Sequence, residues 1–161
     1  MYNNGVFYYY IYKNMQTTLV LLKPDTVQRS LIGEVISRLE NRGLKINGLK
    51  MIALSNEIIE EHYDFLADKP FFPNIVKYMQ SAPVVALAVS GKNAIPVIRS
   101  LCGATNPVEA TPGTIRGDFA LTIDANIIHA SDSEETAEIE LKRFFDASEI
   151  YAYDKINEGS L

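Results

Sequence analysis

Uninterrupted aliphatic runs, sets of apolar residues at helical spacing between them, and one alternating segment that slips phase predict an α+β sandwich. It has one four-stranded, largely antiparallel sheet with helices packed on one face. The aliphatic runs are TTLVLLK at 17–23 and PVVALAVS at 83–90; the alternating segment is 44–54.

The first run has no polar alternation, as in a strand with both faces partly covered, and Pro24 stops it. Asp25 is read as the cap of the first helix, in which Leu31, Ile32, Val35, Ile36 and Leu39 recur until Gly43 supplies a left-handed stop. Leu44 and Ile46 alternate, and after Gly48 the phase moves to Leu49, Met51 and Ala53, which predicts a long strand with a bulge. Ser55 or Asn56 caps a second helix through Ile58, Ile59, His62, Phe65 and Leu66, and a shorter helix opens at Pro73, a residue tolerated in a first turn.

PVVALAVS is a third, buried strand, followed by a helix marked by Ala94, Val97, Ile98 and Leu101. Residues 102–117 hold three Gly, two Pro and three Thr and read as a long loop of the kind that carries function. Ile127 and Ile128 mark a last short strand. Asp132 and Glu135 stand in the relation of a capping box for a final helix with Ala137, Leu141, Phe144 and Phe145 on its buried stripe. This order of elements suits a ferredoxin-like sandwich.

With 161 residues, 47% of them hydrophobic, the chain supports one core of ordinary size, and nothing in it marks a linker or repeat. We divide it into a single domain at 15–161 and an extension at 1–14. That extension carries five tyrosines and lacks the pattern of a secretory signal. It is either a partly ordered or disordered extension or sequence ahead of the true start at Met15. A net charge of −5 argues against nucleic acid as a partner. The single Cys102 excludes an internal disulfide and a cysteine-based metal site and suits a reducing cytoplasm. No apolar stretch approaches membrane-spanning length, so no membrane partner is expected.

Three polar clusters sit at element ends: Lys23-Pro24-Asp25, TNPVEATPGTIRGD at 105–118 and NIIHASDS at 126–133. Lys23, Arg99 and Arg116 supply positive charge, and Thr105 and Asn126 add neutral donors, a set suited to clamping a polyphosphate. His129 beside such a clamp reads as a nucleophile if Glu140 or Ser131 fixes its tautomer, or else as a packed histidine satisfied locally; spacing does not choose between them. His62, inside an amphipathic helix, reads as structural. Two histidines give no protein-only metal site, so a divalent ion is expected to arrive on phosphate oxygens.

The segments VLLKPDTVQRSLIGEVISRLENRG, EHYDFLADKPFFPNIVKYMQSAPVVALAVSG, GATNPVEATPGTIRGDFA and NIIHASDSEETAEIE resemble the nucleoside diphosphate kinases, and the resemblance runs from about Gln16 to Tyr153. It implies an enzyme that moves the terminal phosphoryl of ATP or another nucleoside triphosphate to a diphosphate, by a ping-pong route with Mg2+ and broad base specificity. His129 would be transiently phosphorylated, with Glu140 and Ser131 supporting its ring. By the same resemblance Lys23, Tyr63 and Asn126 contact sugar or phosphates, and Lys23 also serves catalysis. Arg99, Thr105 and Arg116 bind phosphate; Phe71 stacks on the base between Ile75 and Ile123. Without the resemblance, Tyr63, Ile75 and Ile123 read as core. It also implies a homo-oligomer, hexamer or tetramer. Rival classes are a binding module that has lost the reaction and a phosphohistidine carrier that passes the group to a protein.

Overall fold

The computed structural model describes residues 15–156; the extension at 1–14 lies outside them. Four strands, β1 (Met15–Leu22), β2 (Lys45–Ile52), β3 (Val84–Lys92) and β4 (Ile128–Ala130), form one sheet in the order β2-β3-β1-β4, with every pair antiparallel. Between them run α1 (Pro24–Gln28), α2 (Ile32–Asn41), α3 (Asn56–His62), α4 (Phe72–Met79), α5 (Ala94–Cys102) and α6 (Ile115–Phe119). The helix α7 (Glu134–Phe144) follows β4. The ferredoxin-like α+β class is therefore the observed one.

One part of the expectation needs correction: helices cover both faces of the sheet, not one. Val20, Leu22, Val85, Leu87 and Val89 pack with Val35 and Leu39 of α2 and Ala94 and Ile98 of α5. The intervening residues Leu19, Leu21, Val84, Ala86 and Ala88 pack with Ile59 of α3, Met79 of α4 and Phe144 of α7. Because β1 and β3 are apolar at consecutive positions, each face has to be removed from water. The strand run alone carried that information.

The long first helix is in fact two. Ser30 adopts φ 58°, which breaks the helical path between α1 and α2, and Pro24 starts α1. Asp25 sits inside α1 rather than capping it, since the cap position belongs to Lys23. The bulge in β2 falls between Ile46 and Gly48, as the phase slip predicts. A side chain at Gly48 would meet the Glu149 carbonyl at 2.9 Å and the Phe145 ring at 3.0 Å. The cap of α7 is Ser133, whose hydroxyl accepts from the Thr136 amide at 3.1 Å, one position beyond the Asp132 expected.

The tail after α7 returns along β2. Tyr151 N–H donates to the Asn47 carbonyl, Asn47 Nδ2 donates to the Tyr151 carbonyl, and Tyr153 Oη donates to the Ile46 carbonyl. Those bonds occupy backbone groups that an edge strand would otherwise expose. No helix among the described residues is long and apolar enough to cross a membrane.

Candidate active site

β4 is three residues long and pairs with β1, placing His129 opposite Leu21. Ile128 and Ala130 belong to the α2/α5 side, so His129 projects to the opposite face, where α3 and α7 pack. The chain enters β4 through Ile127, whose φ is +70°. A β-branched side chain there stores on the order of 1–3 kcal/mol. The turn closes locally with Ile128 N–H on the Asn126 carbonyl at 2.7 Å.

Three residues of the KPDT segment hold this turn. Lys23 N–H and Thr26 Oγ1 donate to the Ile127 carbonyl at 2.8 and 2.5 Å, and the Ile127 amide donates to Asp25 Oδ2 at 3.1 Å. The other oxygen of Asp25 accepts from Tyr78 Oη at 2.6 Å. Burial, followed by this contact with Asp25, pushes the Tyr78 phenol well above its ordinary pKa, so it remains a donor.

Nε2 of His129 lies 3.0 Å from both oxygens of Glu140, and Ser131 Oγ donates to Glu140 Oε2 at 2.6 Å. Glu140 is one helical turn or more into α7, so the short link 131–133 and the Ser133 cap set how its carboxylate meets the strand. Burial pushes the Glu140 carboxyl up, but hydrogen bonds from His129 and Ser131 and the nearby rings outweigh it and hold it below the ordinary carboxylate value. It is ionised at neutral pH.

His62 stands behind this pair, buried, with its ring edge-on to that of His129 at 4.6 Å. Arg143 Nη1 donates to His62 Nδ1 at 3.2 Å, which places the ring proton on Nε2. Burial first, and the neighbouring His129 second, lower the His62 pKa to about 3. The structural reading of His62 thus describes its burial and neutrality, though its location is the site itself. One ligand atom each from His62, His129 and Glu140 lie within 4.8 Å of one another, a spacing a metal ion could bridge. Arg143 already occupies His62 Nδ1, and the Glu140 oxygens already meet His129 and Ser131.

On the other side of β4, Lys23 Nζ donates to Asn126 Oδ1 at 2.6 Å, and Asn126 Nδ2 donates to the Thr105 carbonyl at 3.0 Å. Burial and then Arg116 lower the Lys23 ammonium to about 8, against a smaller opposing pull from Asp25. Arg116, only 8% exposed, gives Nη2 to the Ile128 carbonyl at 2.7 Å, Nη1 to Gly103 at 2.8 Å and Nε to Asn126 at 3.3 Å. Burial lowers its pKa as well. Arg99 is exposed at the end of α5, with Nη1 3.4 Å from the Ala130 carbonyl. The expected cationic group therefore converges on the two ends of β4.

The residues expected around a base stand differently. Phe71, at the start of α4, is 49% exposed and Ile123 57% exposed, while Ile75 is half-buried on the first turns of α4. Tyr63 is buried, edge-on to His62 at 4.8 Å, with its hydroxyl on the Met79 sulfur at 3.8 Å. Sequence reasoning gave Asp25 only the role of a helix cap and missed Thr26, Tyr78 and Arg143. The available signal for Asp25 was its place in the KPD motif; none of the other three stood out by type or spacing.

Residues 16–150 match the family model for nucleoside diphosphate kinase. A nucleoside diphosphate kinase of Archaeoglobus fulgidus is 54% identical over 144 residues, 89% of this chain and 95% of that protein. Among solved structures, a nucleoside diphosphate kinase from Halobacterium salinarum in complex with CDP superposes with a TM-score of 0.86 at 42% identity, covering 88% of this chain and 95% of that one. A transition-state mimic of the Borrelia burgdorferi enzyme with bound vanadate and ADP gives 0.85 at 37% identity, covering 91% and 96%.

Proposed function

The chain belongs to the nucleoside diphosphate kinase family, which makes it an enzyme of nucleotide phosphotransfer, and we propose that it works through a phosphohistidine at His129. The observation that carries this reading is the contact of His129 Nε2 with both Glu140 oxygens at 3.0 Å. With the ring proton held on Nε2 toward an ionised carboxylate, the lone pair resides on Nδ1, and a neutral, oriented imidazole is the nucleophilic form. Ser131 keeps Glu140 from rotating away.

In the first half-reaction Nδ1 attacks the terminal phosphorus of a nucleoside triphosphate. An N–P bond forms, the bond to the bridging oxygen breaks, and the diphosphate leaves with the electron pair. In the second, a diphosphate oxygen takes the phosphoryl back and Nδ1 recovers its lone pair. Such a relay gives ping-pong kinetics. Lys23, Arg99 and Arg116, with Thr105 and Asn126, stabilise the charge that gathers on the leaving phosphate, because phosphoryl transfer is mainly positioning and electrostatics. The transition-state mimic of the Borrelia burgdorferi enzyme with bound vanadate and ADP supports phosphoryl transfer as the reaction.

Mg2+ fits the site as part of the nucleotide substrate. The side chains around the clamp are cations and neutral donors, and both Glu140 oxygens are already bonded, so phosphate oxygens must be the ligands. When bound, the ion would neutralise phosphate charge. An exposed Phe71 ring stacks on any base, which favours broad specificity over purines and pyrimidines, with Ile75, Ile123 and Tyr63 as neighbours. The CDP complex of the Halobacterium salinarum relative supports a pocket open to pyrimidines. Exposed Leu49 and Met51 on the edge strand β2 favour assembly into a homo-oligomer, hexamer or tetramer, and the single buried Cys102 suits a cytoplasmic location.

The deciding experiment is the intact mass of the protein after ATP and Mg2+, beside His129→Ala, and again after GDP. One phosphoryl group gained by the wild type alone, then lost as GTP forms, is the expected result. Binding of ATP without gain in mass would overturn the relay and leave a nucleotide-binding module.

A further inference from the structure

Asp25 is a buried carboxylate outside the cluster around Glu140, and its two oxygens are taken by donors from different parts of the fold. Oδ2 accepts from the Ile127 amide at 3.1 Å, and Oδ1 accepts from the Tyr78 hydroxyl at 2.6 Å. Ile127 is the residue whose left-handed backbone turns the chain into β4, two positions before His129. Tyr78 is on α4, one turn beyond Ile75 and on the helix that opens at Phe71 and Phe72.

A buried carboxylate is tolerated where its hydrogen bonds are made, and both oxygens of Asp25 have theirs. The arrangement has a use that stability does not supply. A β-branched residue at φ +70° relaxes toward the extended region unless its amide and carbonyl are both held. The carbonyl is held by Lys23 N–H and by Thr26, and the amide only by Asp25. Release of that amide would leave Ile127 itself held only at its carbonyl, with the turn restrained by the Ile128–Asn126 bond and by Arg116 on the flanking carbonyls, and would loosen the line of His129.

We propose that Asp25 is a positioning residue for the phosphoryl transfer, locking the Ile127 turn that aims His129 and tying it through Tyr78 to the helix that carries the base-contacting end of the cleft. The proposal rests on the phosphohistidine reading above. Small misplacement of a reacting atom costs rate far more than affinity. Loss of the lock therefore lowers the rate of transfer and leaves nucleotide binding nearly as it was.

The test uses the full chain with ATP and Mg2+, following the rate at which His129 gains a phosphoryl group in a single turnover and the nucleotide Kd. Asp25→Asn removes the charge and one acceptor; Tyr78→Phe removes only the hydroxyl that steadies Asp25. The expected result is a slower transfer by about 10²-fold for Asp25→Asn and roughly tenfold for Tyr78→Phe, with Kd within about twofold for both. The double variant should be no slower than Asp25→Asn alone, because Tyr78 acts through Asp25. Should Asp25→Asn fail to fold, Tyr78→Phe, which removes one hydroxyl and leaves every charged side chain in place, still decides. Transfer at the wild-type rate in Tyr78→Phe overturns the proposal, as does a loss confined to Kd or fully additive effects in the double variant. A wild type that gains no phosphoryl overturns the phosphohistidine reading itself, and is told apart because it needs no variant to see.

Discussion

Glu140 faces His129 with both carboxylate oxygens 3.0 Å from Nε2, and Ser131 donates to one of them at 2.6 Å. The carboxylate is therefore held on two sides. Glu140→Gln presents an amide that can turn its NH2 to the ring and favour the wrong tautomer, with the proton on Nδ1. We expect single-turnover phosphorylation to slow by at least about 10²-fold, with little change in the melting temperature. A rate within a factor of two of the wild type would remove Glu140 from the mechanism.

Arg116 binds three backbone carbonyls from Gly103, Asn126 and Ile128, which join the loop after α5 to both ends of the Ile127 turn. Lysine keeps the charge but cannot fork. Arg116→Lys should then lose about 2–3 kcal/mol of stability, because carbonyls in a buried site are left unpaired. It should also slow phosphoryl transfer by about 10²-fold. Urea unfolding and stopped-flow phosphorylation measure the two separately; a full-rate, fully stable variant would show that charge alone is needed.

Much of this was legible in the chain itself. The continuous apolar runs, the phase slip at Gly48 and the helical spacings located the sheet, the bulge and most helices, because those signals are local. His129, Glu140 and Ser131 were found through a motif in which they are near in sequence. The pairings of Asp25 with Ile127, of Tyr78 with Asp25 and of Arg143 with His62 join residues far apart in the chain, and no periodicity encodes them. The second helical layer was implied by β1 and β3, whose consecutive buried residues leave no face for water. The break at Ser30 and the left-handed Ile127 are tertiary choices made against local preference.

Lys23 titrates near 8 in the free protein, lowered first by burial and then by Arg116. Below that value it carries the charge that the proposed phosphate clamp requires; above it the group is neutral. The KM for a nucleoside diphosphate should accordingly rise as pH goes from 7 to 9, a range in which the diphosphate itself is already ionised. Lys23→Met should start from a higher KM and show no such rise. An equal pH dependence in wild type and variant would assign the effect elsewhere.

His62 gives a stability test with the opposite direction in pH. In the native protein burial and the adjacent His129 keep its pKa at about 3, while the unfolded chain titrates at 6.5. Between those values the unfolded state binds the extra proton, so stability rises with pH and is lost as pH falls below 6.5. From pH 6.5 to 5 the loss due to this one group is on the order of 1–2 kcal/mol. His62→Gln keeps an acceptor for Arg143 but takes up no proton, so this part of the acid slope should vanish in the variant. Groups far from His62 contribute equally to both curves and cancel in their difference, whereas His129 and Glu140, which adjoin His62, enter that difference through their coupling to it. Chemical denaturation at pH 5.0, 5.5, 6.0 and 6.5 measures it, and parallel curves for the two proteins would mean that native His62 accepts a proton as readily as the unfolded chain does.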